Sequence, residues 1–213
     1  MVWKGDVKGA VSILPMSLLR GVFIVSAKRT PFGTYGGLLK DQSATDLAEH
    51  ASRAALAASK VAPELVNSVI MGNQLQSSPD ATYLPRLVGL RIGLPFPVPA
   101  LIVNKLCGSG FQAVVCGAQE ICLKESEIVL CGGSENLSQN PYAVRSIRFG
   151  TKLGEDLKLE DTLLASLTDP HIKLPLLLTI ENLAQKYNII REDCDRYALQ
   201  SQQRWKAGKC KLC

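Results

Sequence analysis

Long hydrophobic runs are what the 213-residue sequence lacks most plainly. No uninterrupted apolar stretch approaches the roughly 18 to 20 residues that a membrane-spanning helix needs, so no span is expected. Excess charge is almost absent away from the N-terminus. The net charge is +5, but residues 1–30 hold Lys4, Lys8, Arg20, Lys28 and Arg29 against Asp6 alone. The rest is nearly neutral, which argues against a general nucleic-acid binder. Histidine is scarce, with only His50 and His171 available as a general base. Cysteines number seven, at 107, 116, 122, 131, 194, 210 and 213, an odd set lying within apolar runs. Such usage reads as a reduced, intracellular protein and not a disulfide scaffold. What remains is an ordinary globular composition, 46% hydrophobic and 20% charged, with length for one sizeable core and an appendage.

Residues 1–15 show no clear periodicity, and Met16 opens a better-organised segment. Their basic, acid-poor character fits mitochondrial targeting as well as it fits a disordered tail or an alternative start. From Gly21 the pattern alternates between strand and helix. GVFIVSA at 21–27 is β-branched and suits a buried strand, followed by the turn-rich RTPFGTYGG at 29–37. A helix is predicted from about Thr45 to Lys60, with Ser43 or Thr45 as cap. Strands are predicted at Val66 to Met71, Ala100 to Asn104 and Ile128 to Cys131, with a short helical stretch near 80–92 and a helix from Ser109 to Leu123. This order implies a parallel or mixed sheet covered on both faces. Residues 134–207 have few strand signals and several loops, and they finish in a helix pair near 180–187 and 191–205.

The helix at 109–123 is apolar nearly all round, with Gln112, Gln119 and Glu120 as its main polar residues. Such a helix is normally buried on more than one side. A single sheet covers one side, so another domain, another subunit or a further part of the protein is expected on the other.

The richest chemical signal is Asn104-Lys105-Leu106-Cys107-Gly108-Ser109-Gly110-Phe111. A strand delivers Cys107 to a glycine-flanked turn that feeds a helix, where unpaired amides and the helix dipole favour a thiolate. A structural cysteine beside two glycines is the competing reading. A hydrolase elbow would need glycine where Lys105 stands, and a papain-like site would not have Gly110 after the serine. No phosphate-binding Gly-x-x-x-x-Gly-Lys-Ser/Thr loop occurs, and LCGGSE at 130–135 is too short a glycine signal for a dinucleotide. Cys116, Cys122 and Cys131 read as small core hydrophobes. Cys210 and Cys213 form half of a four-ligand metal pattern with no second pair, so no metal site is assigned.

Several longer stretches together resemble the thiolases: RGVFIVSAKRTPFGTYGGLLKD (20–41), VIMGNQLQSS (69–78), NKLCGSGFQA (104–113), VLCGGSENLSQNPY (129–142), IRFGTKLG (147–154), TIENLAQKY (179–187) and REDCDRYALQSQQRWKA (191–207). The resemblance runs nearly continuously from Met16 to Ala207. It implies cleavage of a 3-ketoacyl-CoA by CoA in fatty acid β-oxidation, through an acyl group held on Cys107 in a ping-pong mechanism. CoA and acyl-CoA are then substrates, no cofactor is expected, and the mitochondrial matrix is the implied location. The family's Gly-Gly-His-Pro, Cys-x-Gly-Gly-Gly and Asn-Glu-Ala-Phe motifs do not occur here.

The implied fold is α/β, a thiolase-like N-terminal half with a mixed five-stranded sheet and helices on both faces, plus part of an inserted loop domain. The implied division is an extension at 1–15, the α/β domain at 16–135, a partial loop domain at 136–207 and a divergent tail at 208–213. Leu137, Ile180 and the Pro175-Leu176 pair depart from common family residues, the last leaning toward the fatty-acid-degrading branch. With both proton-handling motifs missing, the chain alone is expected to turn over little. Homo-oligomerisation is a natural expectation, and a non-catalytic chain bound to a full-length thiolase is the alternative. A thiol redox role for Cys210 and Cys213 is a weaker third reading.

Overall fold

The computed structural model describes residues 21–209 and comprises two units, one ending at Pro141 and one beginning at Tyr142. The expectations for 1–15, Met16, Cys210 and Cys213 lie outside the described residues. In the first unit, α1 (Ala44–Ser59) is alanine-rich, the composition with the highest helix propensity. Its start is a capping box in which Ser43 Oγ accepts from the Asp46 N–H at 3.1 Å and the Asp46 carboxylate accepts from the Ser43 N–H at 3.0 Å. Burial pushes the Asp46 carboxyl upward, but Ser43 and the Arg91 guanidinium outweigh it and hold the group below its ordinary value.

The core is built around β1 (Ser68–Gly72), whose five residues are all buried. After it come α2 (Leu84–Arg91), β2 (Ala100–Val103), α3 (Ser109–Leu123) and β3 (Val129–Gly133). The sheet order is β2-β1-β3, and both pairings are parallel, with Val69 opposite Ala100 and Gly72 opposite Gly133. Alternation along β1 divides its side chains between two layers. Val69 and Met71 join Ala44, Ala48, Leu84, Val88, Ile92 and Leu94 on the α1/α2 face. Burying each of these larger side chains contributes about 1.5–3 kcal/mol. On the other face, Ser68 Oγ meets Glu120 at 3.4 Å and Gly72 lies against the backbone of Ser109. This face belongs to α3.

Two expectations need correction. Residues 21–27 form no strand, and Phe23, Ile24 and Val25 are 82%, 80% and 69% exposed. A β-branched run becomes a strand only against an edge that pairs with it, and the sheet among the described residues ends at β3. That sheet accordingly has three parallel strands instead of five mixed ones. Leu106–Leu123 has the length and mean hydropathy of a membrane span by composition alone. However, α3 itself has 15 residues, about 22 Å against the roughly 30 Å of a bilayer core. Its Ser109, Ala113 and Gly117 are buried. The stripe recurs at every fourth residue and seats the helix on the sheet, while Phe111, Val114 and Leu123 are exposed. The side expected to be covered by something further is exposed among the described residues.

In the second unit, β4 (Tyr142–Val144) and β5 (Leu159–Asp161) pair antiparallel. Arg145 closes this hairpin on both Glu160 oxygens at 2.8 and 2.6 Å. Next are α4 (Thr162–Ser166), the short pair β6 (Thr168–Asp169) and β7 (Leu174–Pro175), α5 (Leu176–Tyr187) and α6 (Arg191–Lys209). The predicted terminal helix pair is α5 and α6. No described residue of this unit is buried, so its helices display apolar side chains such as Leu177 and Ile180 to solvent.

Gly117 tests the α3 contact. A methyl group there would overlap Cys131 Sγ and approach Val129 Cγ1 to 3.1 Å. Overpacking costs about 1–3 kcal/mol, which exceeds the ~1 kcal/mol gained by replacing a helical glycine with alanine. Gly117→Ala should therefore lower the urea midpoint, and adding Cys131→Ala should recover part of the loss.

Candidate active site

All three parallel strands point their carboxyl ends the same way, the edge at which open α/β sheets bind ligands. The loops that leave them are stitched together by hydrogen bonds. Asn73 N–H continues the ladder to Val103 O at 3.2 Å, and Ser134 N–H reaches Gly72 O at 3.1 Å. Asn104 Nδ2 donates to Gln74 O at 3.1 Å while its Oδ1 accepts from the Leu106 N–H at 3.0 Å.

The resulting turn holds Cys107. Leu106 takes a left-handed conformation, φ 50°, uncommon for a residue with a branched side chain. Buried Ser109 secures it: Oγ accepts from the Lys105 N–H at 2.8 Å and donates to Leu106 O at 2.5 Å. Gly108 N–H and Ser109 N–H donate to Lys105 O and Leu106 O, each at 3.1 Å. Cys107 is thus an exposed thiol one residue before the Gly108 cap of α3. The turn can come this close to the sheet because Gly72 has no side chain to collide with Ser109. Likewise, a Cβ on Gly133 would stand 2.9 Å from Gly110 Cα.

A cleft of about 870 Å3 opens here, lined by Cys107, Gly110, Val114, Cys131, Gly133 and Glu135 among others. No histidine lines it. His50 is exposed on α1, and His171 lies in the second unit, its backbone N–H bonded to the Asp169 carboxylate at 2.7 Å. No group of His, Cys, Asp and Glu suited to holding a metal ion occurs among the described residues.

Two further residues escape the sequence reading. The Glu135 carboxylate accepts from Asn73 Nδ2 at 2.9 Å and from the Gln74 and Leu75 N–H groups at 2.8 and 3.1 Å. Burial nevertheless outweighs these donors and raises its pKa. Asn136 is buried and donates from Nδ2 to the carbonyls of Leu39, Lys40 and Gln42, tying the segment before α1 to the loop after β3. Their sequence signal was confined to the stretch VLCGGSENLSQNPY, which singles out neither residue. Cys131 is different in kind from Cys107. Burial, and then the nearby Glu120 and Cys116, push its thiol up to about 11, which leaves it a packing residue.

The family described as "Thiolase, N-terminal domain" matches residues 22–211. This chain belongs to the thiolase family. It is 71% identical over 193 residues to mitochondrial 3-ketoacyl-CoA thiolase of Mus musculus, covering 91% of this chain and 49% of that protein. It is also 40% identical over 191 residues to a beta-ketothiolase of Cupriavidus necator, covering 90% of this chain and 48% of that protein. Among solved structures, human mitochondrial 3-ketoacyl-CoA thiolase in complex with CoA has a TM-score of 0.87 at 68% identity, with 91% of this chain and 49% of that one covered. An acetyl-CoA acetyltransferase of Bacillus anthracis has a TM-score of 0.79 at 36% identity, with 84% and 45% covered. The chain spans about half the length of the thiolases it matches. The thiolase N-terminal fold inferred from the motifs therefore stands, although its sheet here has three strands.

Glu135 gives a stability prediction. Glu135→Ala strands three donors and should cost about 1–3 kcal/mol in urea unfolding. Because the folded carboxyl lies above its ordinary 4.5, its stabilising contribution is complete below that value and is lost as pH rises through the folded value. Glu135→Gln should remove that part of the stability–pH slope, which lies above pH 4.5.

Proposed function

We propose that the chain carries the acyl-accepting chemistry of a thiolase, an acetyl-CoA acyltransferase acting in fatty acid β-oxidation in the mitochondrial matrix. The observation that carries this reading is an exposed Cys107, held on a constrained turn at the opening of α3 beside a cleft. Support for the substrate comes from the related mitochondrial 3-ketoacyl-CoA thiolases and from the human one seen with CoA. Their name, together with the basic residues before Thr30, supports the location.

In this reading the Cys107 sulfur attacks the 3-keto carbon, the C2–C3 bond breaks, and the departing acetyl-CoA carbanion takes up a proton. CoA thiol then attacks the Cys107 thioester, releases the shortened acyl-CoA and returns the proton-bearing thiol. CoA is a substrate and not a resident cofactor. Small residues at 108 and 110 leave room for the thioester, and the positive end of the α3 dipole, which opens two residues after Cys107, favours negative charge that develops there. The cleft offers no histidine to move the protons. A polypeptide of these 213 residues alone is therefore proposed to acylate far better than it turns over. Incubation with a 3-ketoacyl-CoA followed by peptide mass spectrometry should give an acyl adduct on Cys107 that Cys107→Ser abolishes. Efficient thiolysis of acetoacetyl-CoA by the same polypeptide would contradict the weak turnover.

A second reading, a non-catalytic chain that binds a full-length thiolase subunit, is favoured by the exposed Phe111, Val114 and Leu123 on α3. Exposed apolar surface of this kind commonly marks an interaction site. Co-purification with a tagged full-length subunit, weakened by Val114→Glu, is the expected result. Two independent peaks in size exclusion would remove this reading.

A further inference from the structure

We infer that Glu135 is a positioning residue for Cys107, acting through Gln74 and Asn104. The inference rests on the reading of Cys107 as the nucleophile and adds to it what sets the sulfur in place. Three hydrogen-bonded steps and one peptide bond connect the two residues. The Glu135 carboxylate takes the N–H groups of Gln74 and Leu75 at 2.8 and 3.1 Å, which holds the backbone just after β1. Gln74 O, aimed by that hold, takes Asn104 Nδ2 at 3.1 Å. Asn104 Oδ1 takes the Leu106 N–H at 3.0 Å. Leu106 is the left-handed residue of the turn, and Cys107 is next in the chain.

Three features make this more than proximity. First, Glu135 supplies a charged acceptor, and hydrogen bonds to charged groups are roughly twice as strong as neutral ones. Second, Asn73 is buried, with Nδ2 serving Ser134 O and Glu135 while Oδ1 has no partner. A buried amide that leaves its oxygen unpaired to keep both donations is committed to Glu135. Third, the left-handed Leu106 costs of order 1–3 kcal/mol and persists only where its surroundings over-determine it. Ser109 supplies one restraint from the helix side, and Asn104 supplies the other from the sheet side. The sheet-side restraint ends at Glu135.

The test is the rate at which iodoacetamide alkylates Cys107, followed by peptide mass spectrometry in the full 213-residue chain across pH. The charged groups that bear on the profile are Lys105, whose Nζ is bound to Gln112 at 2.8 Å, and Lys28, Arg29, Lys40 and Glu135 of the cleft. If Glu135 positions the sulfur against the α3 terminus, Glu135→Gln and Asn104→Ala each slow Cys107 by about two- to five-fold near neutral pH, the range of one helix-terminus interaction. The deficit closes at high pH, where every thiol is ionised. The double variant is no slower than either single one, because both cut the same connection. Exposed Cys194 and half-buried Cys131 report on folding. A merely structural loss speeds Cys131 and leaves no pH-dependent deficit at Cys107. Should Glu135→Gln unfold the chain, Asn104→Ala decides alone, since Asn104 is exposed. Unchanged Cys107 rates in folded Asn104→Ala, or additive losses in the double variant, overturn the inference. Failure of the nucleophile reading looks different: alkylation still depends on Glu135, but no 3-ketoacyl-CoA acylates Cys107.

Discussion

The contact on which the rest depends is the approach of α3's first turn to the ends of β1 and β3. It is possible only because Gly72, Gly110 and Gly133 carry no side chains where the two backbones meet. Each glycine in an element interior costs about 0.5–1 kcal/mol of conformational entropy relative to alanine. That cost is borne by β1, whose side chains are buried on both faces. The same approach leaves no slack in the chain between Val103 and Ser109. The connection must turn sharply, Leu106 goes left-handed, and Cys107 is lifted into solvent. The exposed position of Cys107 is a by-product of close packing.

The parts of this arrangement that were legible in the sequence are those set by local patterns. The boundaries of α3 and the nearness of Cys107 to its start follow from a glycine-flanked strand-to-helix junction, and side-chain chemistry narrowed the α1 cap to Ser43 or Thr45, of which Ser43 is the one used. The pairing of elements was less legible. GVFIVSA has every property of a strand except a neighbour, and no local window contains that information. Glu135 and Asn136 were hidden for a related reason. Their partners, Gln74 and Leu39 to Gln42, lie about 60 and 95 residues away in the chain, and long-range backbone acceptors and donors leave no sequence motif.

Two kinds of incompleteness meet on one side of α3. Its buried stripe, Ser109, Ala113 and Gly117, is used up by the sheet. Val114, Ala118 and Ile121 border the cleft instead, and Phe111 and Leu123 stand in solvent. Exposing several such side chains forgoes of order 1.5–3 kcal/mol each, a large sum against the 5–15 kcal/mol of a typical domain. The chemistry is open on the same side. The cleft holds the exposed Cys107 proposed as nucleophile, the start of α3, and a half-buried carboxylate already committed to three donors, but no histidine. In the proposed thiolase reading the proton-moving group has to come from outside the residues that line the cleft, and the exposed apolar side of α3 borders that same cleft.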